Sequence, residues 1–297
     1  MGAGPAVLVT GAAGYVGRLC VAALAKRRSE LSALIALDWT KIEPRDRLAG
    51  VVYEQSDICD PALGELFRRH GIDTVVHLAS IVRAPKGAPN DLAYRVDVLG
   101  TQNILEACEA AKATRLIVTS SGAAYGYHPD NPDWLDENDP LRGNDEFEYS
   151  KHKRIVEDML ADWRVERPEL RQIVFRPGTV VGRDVHSPVT DLFEKPVIVG
   201  IVGSDSPFVF IWDQDLVACL VVAVFSDKVG IYNQAGDGAL TPREIAKMLN
   251  KPYVPLPAGL VKGLLYVLKG LGLTENGPER VKFLRYRPVL SNRRLKE

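Results

Sequence analysis

A chain of 297 residues with 46% hydrophobic, 25% charged and 7% aromatic residues has the profile of a globular α/β protein, which excludes a disordered or fibrous one. Thirty-seven Lys and Arg against thirty-eight Asp and Glu leave a formal charge of −1, so no global field draws the molecule to nucleic acid or to an anionic membrane, and any ligand is recognised locally. Cys20, Cys59, Cys108 and Cys219 form no C-x-x-C pair; they read as small core fillers, and a reducing cytoplasm fits best.

The chain opens on an apolar run, AVLVT at 6–10, that flows directly into a glycine loop. It lacks the charged segment and apolar core of an export signal, so no export is expected. Further strands are predicted at 33–37, 51–55, 74–78, 115–119 and 172–176, most of them near-continuously apolar, as strands covered by helices on both faces are. Helix-period patterns fill the intervals at 15–28, 61–70, 92–112 and 147–166. This alternation predicts a doubly wound parallel sheet in an α/β Rossmann architecture over residues 1–175. After that point Gly and Pro punctuate shorter segments, which predicts a smaller C-terminal substrate-binding lobe over 176–297, with about 208–235 returning to the core. The stretch LPAGLVKGLLYVLKGLGL at 256–273 carries Lys262 and Lys269 seven residues apart on one face. It reads as an amphipathic helix with the lysines on its polar side rather than as a membrane segment. The closing SNRRLKE reads as the start of a helix, so a longer natural chain is expected.

Two constellations carry chemistry. In TGAAGYVG, Gly11, Gly14 and Gly17 stand three apart between the first strand and the first helix. There the first glycine permits a tight turn, the second lets a pyrophosphate approach the backbone, and the third lets helix and sheet pack closely. Phosphate charge then rests on the helix N-terminus. Asp38 ends the next strand, 21 residues after Gly17, where a carboxylate accepts hydrogen bonds from ribose hydroxyls and repels a 2′-phosphate. NAD is therefore favoured over NADP. Tyr149 and Lys153, four apart, project from one helix face. Free tyrosine titrates at about 10, and a neighbouring ammonium and a positive nicotinamide ring both favour the phenolate that proton transfer needs. Ser121 ends the fifth strand, at the sheet edge where ligand-facing groups collect. The five histidines show no ligand spacing, and no metal is implied.

TGAAGYVG at 10–17, Asp38, SDI at 56–58, HLAS at 77–80, VLGTQNILEAC at 98–108, SSGAAYG at 120–126, YSKHK at 149–153 and RPGTVVG at 176–182 follow one another as in the extended short-chain dehydrogenase/reductase family, also called the NAD-dependent epimerase/dehydratase family, which the chain resembles over nearly its whole length. The resemblance implies that Ser121 holds the substrate oxygen, Tyr149 is the acid/base, and Lys153 binds the nicotinamide ribose and lowers the tyrosine pKa. It implies a cofactor surface of Gly11, Gly14, Tyr15, Val16, Gly17, Asp38, Asp57, Ile58, Leu78, Ala79, Ser80, Tyr149, Lys153 and Pro177. It also implies a homodimer through the helices at 92–112 and 147–166.

Two departures from the family pattern stand out. Asp97 replaces the usual Asn before the V-x-G-T motif, and an ionised carboxylate cannot donate. Arg176-Pro177-Gly178-Thr179 lacks the Asn with which sugar-nucleotide members hold the diphosphate. Gly122 and Ala123 also stand where dehydratases carry an acidic pair. The leading expectation is thus an NAD-dependent oxidoreductase exchanging a hydride with a secondary alcohol or ketone, on an uncharged small-molecule hydroxy or keto substrate and with neither nucleic acid nor membrane as partner. The alternatives are an NAD-dependent nucleotide-sugar epimerase with an internal redox cycle and a non-catalytic dinucleotide-sensing regulator. Retention of Ser121, Tyr149 and Lys153 argues against the last.

Overall fold

The computed structural model describes residues 4–85, 87–271, 277–278 and 280–297; Gly272 and Leu273, the end of the apolar stretch, lie outside the described residues. The chain forms two compact units. One comprises Met1–Ser120, Ile155–Arg176 and Asp213–Tyr232; the other comprises Ser121–Arg154, Pro177–Trp212 and Asn233–Glu297. The boundary was expected at 175/176; the chain passes from one unit to the other at Arg176/Pro177, and Ser121–Arg154 also falls in the second unit.

The first unit is built on the parallel sheet that the apolar runs predict. Its strands are β1 (Ala6–Thr10), β2 (Ala33–Asp38), β3 (Val52–Gln55), β4 (Thr74–His77), β5 (Arg115–Thr119) and β6 (Arg171–Pro177), with β10 (Gly230–Gln234) on the far edge, in the order β10-β6-β5-β4-β1-β2-β3. Val7, Leu8 and Val9 are fully buried, because the sheet is covered on both sides. Helices α1 (Tyr15–Ala25), α2 (Leu63–Arg69), α3 (Leu92–Tyr94), α4 (Gly100–Ala111) and α5 (Glu148–Glu166) connect the strands, and Leu8, Ile35, Phe67, Ile104, Leu116 and Leu160 meet in one core. The sequence order of the strands reverses across β1 and β4. That reversal opens a crevice beyond their carboxyl ends, where the glycine loop lies.

The helix expected at 92–112 is interrupted. Arg95–Leu99 forms a wider π turn between α3 and α4, and the Thr101 hydroxyl donates to the Asp97 carbonyl at 2.5 Å, taking a backbone acceptor inside that turn. Asp97 Oδ1 accepts from the Ile81 amide at 3.3 Å, a bond that the carboxamide oxygen of the usual asparagine could equally make.

The second unit has short paired strands. β7 (Thr179–Val181) pairs with β9 (Phe210–Trp212), and β8 (Ile198–Ile201) pairs with β11 (Tyr253–Leu256), both in parallel. Between them lies α6 (Thr190–Glu194). The segment expected to return to the core is α7 (Asp213–Phe225) followed by β10. That helix begins at the buried Asp213 and carries the exposed Asp215 in its first turn. α8 (Pro242–Met248) starts with a full capping box, Thr241 and Glu244 each bonding the other's backbone amide. α9 (Ala258–Gly270), α10 (Arg280–Arg285) and α11 (Arg293–Lys296) complete the unit. The solvent side of α9 differs from the polar face expected of it: beside Lys262 and Lys269 it exposes Leu260, Leu264, Tyr266 and Val267. Among the described residues no helix is long and apolar enough to cross a membrane.

Candidate active site

In the first unit, Gly11 adopts φ +66°, and a Cβ there would lie 2.7 Å from the Ala79 amide nitrogen. A Cβ on Gly17 would lie 2.0 Å from the Gly11 carbonyl oxygen, so α1 packs against the loop only because that position is glycine. Gly14 precedes α1 with extended backbone and no capping side chain. A helix leaves its first N–H groups without intrahelical partners, so the backbone of Tyr15, Val16 and Gly17 presents the positive end of the helix. The loop borders a cavity of about 280 Å³ lined by Gly11, Gly14, Asp38, Asp57, Ile58, Leu78, Ala79 and Ser80 among others. These residues fit a dinucleotide, with a glycine cradle for phosphate and carboxylates at the ribose end.

Asp38 is buried and does two things at once. Its Oδ2 accepts from the Ala13 amide at 2.9 Å and its Oδ1 from the Thr40 amide at 2.8 Å, which fixes the glycine loop against the end of β2. Each carboxylate oxygen keeps a second lone pair for a hydroxyl. Asp57 Oδ1 similarly accepts from the Cys59 amide at 2.9 Å. Of the remaining expected cofactor residues, Tyr15 commits its hydroxyl to Asp213 of α7, so its side chain serves packing. Val16 and Gly17 lie behind the cavity in α1, and Pro177 belongs to the second unit.

A chain of buried polar groups that sequence reasoning left without a role supports this floor. The Leu78 and Ala79 amides donate to Thr10 Oγ1 at 3.1 and 3.3 Å, and Thr10 Oγ1 lies 2.8 Å from His77 Nδ1. His77 Nε2 lies 3.1 Å from Thr101 Oγ1, whose own hydrogen goes to the Asp97 carbonyl. That last bond makes Nε2 the donor to Thr101, and because Thr10 Oγ1 already accepts from two amides, its own hydrogen goes to Nδ1, which fits the neutral imidazole with its proton on Nε2. The signal was present in the motifs TGAAGYVG, HLAS and VLGT, each of which contributes one member.

The second unit holds Ser121, Tyr149 and Lys153 together. Ser121 Oγ accepts from the Ala123 amide at 3.1 Å, which leaves its own O–H for another acceptor. Ser120, by contrast, belongs to the first unit, is buried, and donates to Glu157 Oε1 at 2.6 Å. Tyr149 is half-buried beside Ala123, Phe147 and Phe283, while Lys153 is buried with its ammonium 5.6 Å from the Tyr149 ring centre. Ser150, a second residue given no role, fixes the start of α5. It donates to the Ala123 carbonyl at 2.6 Å and accepts from the Asn144 amide at 3.1 Å, tying the tyrosine's helix to the serine's turn.

Other candidates fall away. Tyr125 is fully buried with its hydroxyl shared between the Asp136 carbonyl and Asn233, so it packs beneath a turn. Arg176 forms a buried bidentate pair with Glu157 inside the first unit. His186 lies 3.9 Å from Glu194 and near Asp191, in a group open to solvent.

Residues 7–197 match the model of the NAD dependent epimerase/dehydratase family, and the chain belongs to that family. An uncharacterised protein of Mycobacterium tuberculosis is 25% identical over 98% of this chain and 78% of its own. The N-acetyl-alpha-D-glucosaminyl-diphospho-ditrans,octacis-undecaprenol 4-epimerase of Escherichia coli O157:H7 is 29% identical over 88% of this chain and 78% of its own. The UDP-glucose 4-epimerase of Thermus thermophilus, solved with NAD, shares the fold with a TM-score of 0.72 at 23% identity, over 98% of this chain and 91% of that one.

Proposed function

We propose that the protein is an NAD-dependent 4-epimerase of a sugar carried on a diphosphate. The observation that carries this reading is the likeness to the Escherichia coli 4-epimerase across 88% of the chain, together with an intact Ser121, Tyr149 and Lys153 in one unit. It favours the epimerase alternative over the alcohol or ketone oxidoreductase that the sequence had placed first. NAD, when bound, accepts a hydride at its nicotinamide ring and gives it back.

Asp38 would hold the adenosine ribose, and the amino-terminal turn of α1 the pyrophosphate. Tyr149 takes the proton of the sugar 4-hydroxyl as the C4 hydride leaves, and it returns that proton to oxygen when the hydride comes back to the opposite face. Lys153 favours the phenolate. Ser121 donates to the oxygen throughout. Arg287 is a cation suited to the diphosphate. It is largely buried, with its guanidinium 3.4 Å over the Phe208 ring and 3.9 Å over that of Phe283, and Phe283 packs in the cluster that includes Tyr149. Tyr94, Leu99 and Val165 are exposed apolar residues on the helices through which a homodimer is expected.

The test offers UDP-glucose, UDP-N-acetylglucosamine and N-acetylglucosaminyl-diphospho-polyprenol, with NMR of the sugar ring and absorbance of reduced nicotinamide followed together. A C4 epimer without net reduction of NAD is expected. Turnover of a simple hydroxy compound with stoichiometric NADH, and no epimer from any of the three sugars, would overturn the reading.

A further inference from the structure

α9 buries one face and leaves a second apolar face uncovered. Val261 and Leu265 pack on Ile201 of β8 and on Val281 and Leu284 of α10, which accounts for one arc of the helix. Leu260, Leu264, Val267 and Leu271 follow at i, i+4, i+7 and i+11, within about 60° of one another around the helix axis. Their exposures run from 52 to 67%. An isolated exposed leucine is ordinary, whereas an aligned row of four is not. Lys262 and Lys269 occupy the opposite flank, both exposed. Gly259, Gly263 and Gly270 lie between the two flanks on the outermost side, with the 73% exposed Tyr266 between them and the lysines.

Charge selects the occupant. From Ile245 to Thr274 the chain has four lysines and not one aspartate or glutamate. Lys247 at the end of α8 is exposed like Lys262 and Lys269, and Met248 and Leu249 next to it are exposed apolar residues. A second copy docked face to face would set these lysines against one another. A lipid surface with anionic headgroups meets both halves of the pattern, with acyl chains for the leucine row and phosphates for the lysines.

We propose that α9, with the end of α8, seats the protein on an anionic phospholipid bilayer, the helix lying in the interface. At 13 residues α9 is too short to span a bilayer, which needs about 20. This docking is independent of the chemistry at Tyr149. It would place the enzyme where a lipid-borne substrate is found.

The test is co-sedimentation of the 297-residue protein with vesicles of phosphatidylcholine alone or mixed equally with phosphatidylglycerol. Binding to the mixed vesicles is expected to be on the order of tenfold to a hundredfold tighter. Leu264→Asp with Val267→Asp should abolish it while leaving the circular dichroism spectrum and unfolding midpoint in place. Lys247→Glu with Lys262→Glu, at two exposed positions, should weaken binding to the anionic vesicles by about tenfold or more and leave binding to phosphatidylcholine unchanged. Equal binding to both vesicles, no binding to either, or undiminished binding by the aspartate or glutamate variants would overturn the proposal. So would a wild-type oligomer in sedimentation velocity that the aspartate variant dissolves, because the stripe would then be a contact between copies.

Discussion

Asp38 has a shown structural role and a proposed ligand role on one side chain. Its two oxygens each hold a backbone amide, one in the glycine loop and one after β2, so Asp38→Ala should cost about 1–2 kcal/mol of stability through loss of these cap-like bonds. It should also narrow the preference for NAD over NADP, as read by isothermal titration calorimetry; tighter NADP binding by the unaltered protein would contradict the assignment. Tyr149→Phe removes the hydroxyl that moves the proton and keeps the ring. Epimerisation should fall by about 10²–10⁴ while NAD still binds, and near-normal turnover would contradict the role. Gly11 and Gly17 were legible in the sequence because only glycine admits the positive φ of the first and the close approach found at both. Thr10, His77 and Thr101 each stand in a motif, but the bonds among them, across 67 and 24 positions, form only when the sheet brings them together.

Element boundaries followed the apolar runs closely. The predicted 115–119 strand is found as Arg115–Thr119, and 147–166 as Glu148–Glu166. The π turn at Arg95–Leu99 escaped because periodicity registers an average turn and not one widened by a side-chain bond to its own backbone. The face of α9 escaped for a related reason: two apolar arcs on one helix give a single period, and only packing tells which of them is covered. Between α5 and β6, Glu157 and Arg176 are each 3% exposed and meet in a bidentate pair at 2.6–3.0 Å. Such a pair is weak evidence of net stabilisation, but breaking it strands a buried charge. Glu157→Gln should therefore destabilise the protein by about 3–5 kcal/mol in urea unfolding, and Glu157→Met with Arg176→Met should recover most of that. A loss of similar size in the double variant would show that the pair matters for its packing rather than its charge.

Across the molecule, the chain alternates between its two units, and this divides the work. The first unit carries the glycine cradle, Asp38 and the neutral His77 relay; the second carries Ser121, Tyr149, Lys153 and Arg287. The composition change after Pro177 made the passage there legible, while nothing in the composition of Ser121–Arg154 marks it as belonging with the later segments. For the proposed 4-epimerisation, in which the sugar is oxidised and re-reduced, hydrogen at C4 is the tracer of choice. The decisive measurement is turnover of UDP-N-acetylglucosamine or its polyprenol-linked counterpart deuterated at C4, in ordinary water, with the product analysed by NMR and mass spectrometry. The account predicts a C4 epimer that keeps its deuterium, because the hydride leaves and returns within one binding event. Loss of the deuterium to solvent, or its appearance in released reduced cofactor beside a keto product, would contradict it.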